Sequence, residues 1–180
     1  MSKFKEDIDE LMIYTKGKQM THEEYTEIAE RLGGKNFLVF GTGYDSDLWR
    51  KANEGGKTIF LENLEKWIPK DSTDVIKVDY TTKKPDYLEL LENEDALMMK
   101  CLPKEVEDEN WDIIFVDSPT GYSKHCPGRM QSIFTAMKIA NENTLIYVHD
   151  CTRRVENKYT THFLEIEKQF KKLRRCRIKS

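Results

Sequence analysis

Apolar residues recur along this chain at two spacings, and the switches between them divide it into elements. Phe4, Ile8, Leu11 and Met12 fall on one helical face, which predicts a first helix. Thr21 and Glu24 then form a capping-box pair, and Tyr25, Ile28, Ala29 and Leu32 continue an apolar face until Gly33-Gly34 ends it. Phe37 to Phe40 is apolar on both faces, as a buried parallel strand requires. Leu48, Trp49 and Ala52 mark the next helix, which stops at Gly55-Gly56, and Thr58 to Leu61 is a second buried strand ending in Glu62. Strands are expected again over 74–78, 111–116 and 144–148, with a short helix over 86–91 and an ambiguous stretch over 96–102. Residues 128–140 read as a helix with Met130, Ile133, Phe134 and Met137 inward. The tail over 155–170 reads as one helix with Tyr159, Phe163, Ile166 and Phe170 on a common face, followed by an edge strand over 173–178.

Strands alternating with helices predict an α/β fold, a doubly wound and mostly parallel sheet that binds ligands at the carboxyl ends of its strands. Residues 21–180 form that single domain and 1–20 a helical extension, with so little chain after the fifth strand that the closing strands are expected to be truncated. A formal net charge of -3 gives no argument for nucleic acid. There is neither an apolar run of membrane-spanning length nor a signal peptide, so the default expectation is a soluble, cytoplasmic protein. Cys101, Cys126, Cys151 and Cys176 lie too far apart for a zinc knuckle or a disulfide framework. The lysines and arginines between Lys168 and Lys179 read as a solvated helix end.

The chemistry gathers at predicted strand ends. Gly41-Thr42-Gly43 is either a nucleotide-cofactor loop or an ordinary turn, with Asp45 or Ser46 capping the helix that follows. Glu62, about twenty residues on, stands where a carboxylate accepts both hydroxyls of a ribose. Asp117 and His149-Asp150 end neighbouring strands, so two carboxylates and an imidazole converge. They suit a divalent ion, or a general base acting on an alcohol; the plainer alternative is a turn cap beside a satisfied buried histidine. Residues 118–130 form a proline-punctuated loop over the same strand ends, a candidate lid, and Arg129 at a helix start points to an anionic partner.

Taken together, Asn-Phe-Leu-Val-Phe-Gly-x-Gly-x-Asp-Ser (36–46), Gly-x-Thr-x-Phe-Leu-Glu (56–62), Trp-Asp-x-Ile-x-Val-Asp-x-Pro-Thr-Gly-Tyr (111–122), Pro-Gly-Arg-Met (127–130) and Val-His-Asp (148–150) resemble the glucuronoxylan 4-O-methyltransferase family, also called the polysaccharide biosynthesis domain. The resemblance covers roughly 21–175, with Tyr44 and Ser118 departing from it. It implies a Rossmann-like class I methyltransferase using S-adenosylmethionine, assisted by a divalent metal, on the 4-hydroxyl of a glucuronic acid in a glycan. Gly41, Thr42, Gly43, Asp45, Ser46, Glu62, Tyr80 and Asp117 would then bind the cofactor. Asp117, His149 and Asp150 would be catalytic and hold any metal, while Tyr122 and Arg129 would bind the acceptor, the arginine as a fork on the glucuronate carboxylate.

Two other readings stay open: a metal-dependent small-molecule O-methyltransferase with a similar acidic cluster, and a non-catalytic glycan-binding or assembly factor. A nicotinamide dehydrogenase is disfavoured because the loop lacks the third glycine of Gly-x-Gly-x-x-Gly.

Overall fold

A computed structural model describes Asp9 and residues 19–179. The N-terminal extension, and the helix expected over it, thus fall almost wholly outside the described residues. Seven strands form one mixed sheet, β1 (Asn36–Phe40), β2 (Lys57–Glu62), β3 (Val75–Lys77), β4 (Ile113–Val116), β5 (Leu145–Val148), β6 (Leu164–Phe170) and β7 (Leu173–Ile178), in the order β3-β2-β1-β4-β5-β7-β6. The first five are parallel, and β7 enters antiparallel between β5 and β6. Helices α1 (His22–Ala29), α2 (Ser46–Ala52), α3 (Glu94–Leu97), α4 (Lys104–Glu107), α5 (Met130–Ile139) and α6 (Arg154–Phe163) supply the connections.

Side chains alternate across each strand, and the central strands feed two cores. Leu38, Phe40, Ile114, Val116, Ile146 and Val148 pack with Met130, Ile133, Phe134 and Tyr159 of α5 and α6. Phe37, Val39, Ile113, Phe115 and Tyr147 pack on the other face with Tyr25, Leu48 and Trp49 of α1 and α2. Trp49 lies within 6.0 Å of the rings of Tyr25, Phe37 and Phe115, which anchors α2 and with it the glycine loop that α2 terminates.

Several expectations hold and several are corrected. The Thr21/Glu24 capping box forms, with Thr21 N donating to Glu24 Oε2 at 2.7 Å. The other oxygen of Glu24 also reaches the far end of the chain, accepting from Lys172 N at 2.8 Å and Leu173 N at 3.0 Å. Residues 86–91 form successive 3-10 turns instead of an α-helix. The helix expected over 155–170 ends at Phe163, and β6 takes its remainder, because pairing with β7 satisfies a backbone that Leu164-Glu165-Ile166 already suits by alternation. β7 is therefore internal, β6 is the edge, and the sheet is not truncated. The basic tail is not a helix end either: Arg175 bonds Glu27 and Glu167 at 2.8 Å each, and Arg177 bonds Glu167 at 2.6 Å. No helix among the described residues is long and apolar enough to cross a membrane.

Candidate functional site

A cleft of about 440 Å³ opens at the carboxyl ends of β1, β2, β4 and β5. Its floor begins at Gly41, where φ is +112° and a Cβ would lie 2.7 Å from Ser118 Cβ, so only glycine lets the β1 and β4 ends approach this closely. Thr42 N donates to Glu62 Oε2 at 2.9 Å, and the Thr42 hydroxyl lies 3.0 Å from the same oxygen. Asn63 N and Leu64 N donate to Glu62 Oε1 at 2.8 and 2.7 Å, so this buried carboxylate is fixed by the backbone around it. Of the two cap candidates, Asp45 occupies the N-cap of α2 without a capping bond, while Ser46 Oγ accepts from Gly43 N at 2.9 Å. Burial, and then the charge of Asp117, pushes the Asp45 carboxyl up to about 6.

The second half of the site is a charge cluster. The register that aligns Val116 with Val148 sets Asp117 beside His149, and Asp150 follows one residue beyond the strand. Arg129 Nη2 stands between them, 3.0 Å from Asp117 Oδ1 and 3.0 Å from Asp150 Oδ2. Its Nη1 donates to His149 O at 2.8 Å and its Nε to Pro119 O at 3.3 Å. His149 Nδ1 lies 2.9 Å from Asp117 Oδ1, and Arg153 Nη1 lies 2.8 Å from Asp150 Oδ2. Burial alone would raise Asp117; Arg129 and then the His149 hydrogen bond outweigh it and hold the carboxyl below the ordinary range. Asp150 has φ +61°, a left-handed conformation that aspartate tolerates better than most residues and that costs about 1–3 kcal/mol.

Asp117, Asp150 and Arg129 line the cleft, but His149, only 1% exposed, stands behind Asp117 and reaches the cleft through it. Its Nε2 is buried without a hydrogen-bond partner among the described residues. Tyr80 is not among the lining residues; its hydroxyl lies 3.1 Å from Ser132 Oγ, and its ring packs on the core. Tyr122 stands at the rim, 76% exposed. The arginine fork expected to grip an acceptor is spent on the site's own carboxylates and carbonyls.

Two carboxylate oxygens and an imidazole nitrogen within 4.8 Å are a sound donor set for a divalent ion in type. In position they do not fit one, because a guanidinium nitrogen already lies between the carboxylates. The nucleoside side fits better: a glycine loop, a fixed carboxylate at the end of β2 and an adjoining cleft are the parts that such a cofactor uses. Sequence reasoning missed Tyr25, Arg153, Lys172 and Glu156. The first three line the cleft, and Glu156 is fully buried near Arg153 with neither carboxylate oxygen hydrogen-bonded among the described residues. Only Arg153 carried a sequence signal, three residues after Asp150 at a helix start.

The family model described as IRX15/IRX15L/GXM matches residues 23–96 and 81–177. The chain belongs to that family. Glucuronoxylan 4-O-methyltransferase 2 of Arabidopsis thaliana is 36% identical over 81% of this chain and 60% of its own length. Arabinogalactan O-methyltransferase 1 of the same plant is 36% identical over 76% of this chain and 57% of its own. This family member thus spans about 60% of the length of those relatives. In fold it is similar to a putative caffeoyl-CoA O-methyltransferase from Staphylococcus aureus, with a TM-score of 0.54 at 14% identity over 99% of this chain and 93% of that one. The doubly wound expectation holds as a class I methyltransferase fold.

Proposed function

We propose that this chain is an S-adenosylmethionine-dependent O-methyltransferase whose acceptor is the 4-hydroxyl of a glucuronic acid in a glycan. The observation that carries the reading is the joining of two halves in one cleft: the Gly41 loop with Glu62, and the Asp117–Arg129–Asp150 cluster. Membership in a family that includes glycan methyltransferases supports the substrate class.

Gly41, Thr42 and Gly43 would carry the methionine end of the cofactor, and Glu62 the ribose; Asp45 lines the same end, while Ser46, which does not line the cleft, would act through Gly43, whose N–H donates to its hydroxyl. When bound, the cofactor supplies an electrophilic methyl on a sulfonium with a neutral thioether as leaving group. The acceptor hydroxyl attacks in line, so orientation supplies much of the acceleration. Asp117, the cluster's carboxylate nearest solvent, accepts the hydroxyl's hydrogen bond and takes its proton as the new C–O bond forms. Held low by Arg129, it is a weak base, suited to orienting an alcohol whose proton leaves late. His149 is a positioning residue that fixes Asp117, and Asp150 fixes both arginines. No step runs through a metal, because Arg129 supplies the positive charge there.

The test is methyl transfer from labelled S-adenosylmethionine to glucuronoxylan oligosaccharides, with the methylated position mapped by NMR. Methylation at O-4 of glucuronate is expected. Transfer to a catechol and to no sugar would refute the acceptor class.

A further inference from the structure

All three nitrogens of Arg129 are occupied within the cluster, which leaves an acceptor's carboxylate without the partner first expected for it. A second guanidinium stands on the same wall. Arg153 is the N-cap residue of α6, lines the cleft and is 36% exposed at its side chain. Asp150 holds its Nη1 at 2.8 Å, and neither Nε nor Nη2 donates to another described residue. Lys172, exposed in the turn between β6 and β7, lines the same cleft and adds a cation. Asp150 pins one corner of the Arg153 fork, so less side-chain freedom is lost when the open edge takes a carboxylate.

The mouth of the cleft carries independent information. Tyr44, Leu64 and Tyr122 are large apolar side chains that are 65%, 37% and 76% exposed, and all three line it. Trp67 packs edge-on against Tyr44 at 5.3 Å. Isolated exposed apolar residues need no explanation, but a set gathered around one opening marks a binding surface. Of these, Tyr122 is the one next to the cationic side, since a Cβ on its neighbour Gly121 would lie 3.7 Å from Arg153 Nη1, and a flat ring beside a guanidinium suits a sugar, whose C–H faces are apolar and whose substituents are polar.

We infer that Arg153, and not Arg129, recognises the acceptor's carboxylate, so that a uronate enters past Tyr44 and Tyr122 with its acid group against Arg153. This rests on the methyltransferase reading above and names the residue that makes it selective for acidic sugars. A charge-assisted pair of this kind discriminates by about ten- to a hundredfold between a uronate and its uncharged counterpart.

The experiment compares methyl transfer to two xylo-oligosaccharides, one bearing glucuronate and one whose carboxyl has been reduced to the alcohol. Wild type is expected to prefer the acid by that factor in kcat/KM. Arg153→Gln should bring the ratio to near one, chiefly through KM for the acid, and Arg153→Lys should recover part of it. A merely structural role would slow both acceptors together and leave the ratio alone. S-adenosylhomocysteine titration by calorimetry verifies the fold of each variant. If Arg153→Gln keeps the wild-type preference, the assignment to Arg153 is overturned while the methyltransferase reading stands. If wild type binds S-adenosylhomocysteine yet methylates neither sugar, the glucuronate acceptor on which this rests falls, and Arg153 loses its role with it.

Discussion

Replacing Arg129 by methionine keeps an unbranched stem and removes the guanidinium with its charge, so it tests what that group does. Four acceptors lose a donor: Asp117 Oδ1, Asp150 Oδ2, His149 O and Pro119 O. Breaking a buried ion pair by removing one partner costs about 3–5 kcal/mol. Asp150 retains Arg153, and Asp117 retains His149, which places the expected loss near the lower end, about 3 kcal/mol. At about 2–4 °C per kcal/mol for a domain of this size, Tm should fall by roughly 6–12 °C. The pH dependence sharpens the test. In wild type Asp117 is held below its unfolded value of about 3.9, so its contribution is present above that pH and is lost as pH falls through the folded value. Without Arg129, burial, the largest influence on Asp117, should dominate and raise it, so the variant is penalised at neutral pH and relieved by acid. The stability gap between the two proteins should therefore narrow from pH 7 to pH 4.5, measured by urea unfolding with tryptophan fluorescence. Emptying the space between the carboxylates should also let Mg2+ or Mn2+ stabilise the variant more than wild type. A gap under about 1 kcal/mol at pH 7, or one that is constant with pH, would refute the reasoning.

Glu62→Gln should weaken S-adenosylhomocysteine binding about tenfold or more in calorimetry, because the amide cannot keep every bond that pins the β2 end; unchanged affinity removes Glu62 from the cofactor site. Asp150→Asn should keep that affinity and slow methyl transfer by about a hundredfold or more, and full activity would show the cluster to be misassigned. Asp45, pushed up to about 6, has a folded value above its unfolded one, so it destabilises the native state increasingly as pH rises through 4 to 6. Asp45→Asn should then gain about 1–2 kcal/mol at pH 8, a figure discounted for partial exposure, and almost nothing at pH 4.5; an equal gain in urea unfolding at both pH values would contradict this.

Glu62, Asp117 and Asp150 were legible in the sequence because each ends an apolar run, and parallel pairing turns consecutive strand ends into neighbours in space. β6 was hidden by degeneracy: Phe163, Ile166 and Phe170 continue the helical spacing from Tyr159, while Leu164 and Ile166 alternate as in a strand. Only the partner strand β7 decides between these, and local pattern cannot supply a partner. Arg129 stood out as a cation in an unfavourable place, and the anions it answers to, Asp117 and Asp150, stood out as well. What sequence could not convey was that one fork reaches both, which left Arg153 looking like an ordinary charge at a helix start.

Glu24 also governs how the molecule comes into being. One oxygen of this glutamate closes the start of α1, and the other holds the backbone of the turn leading into β7, 148 residues later. Cys151, beside Asp150, is tied to the same turn, its N–H donating to Lys172 O at 2.8 Å. During synthesis the earlier strands can pair as they emerge, but one wall of the cleft waits for the last hairpin to arrive. Ligand-binding competence should therefore appear late and all at once. A nick in the β6–β7 turn would loosen the start of α1 as well as β7.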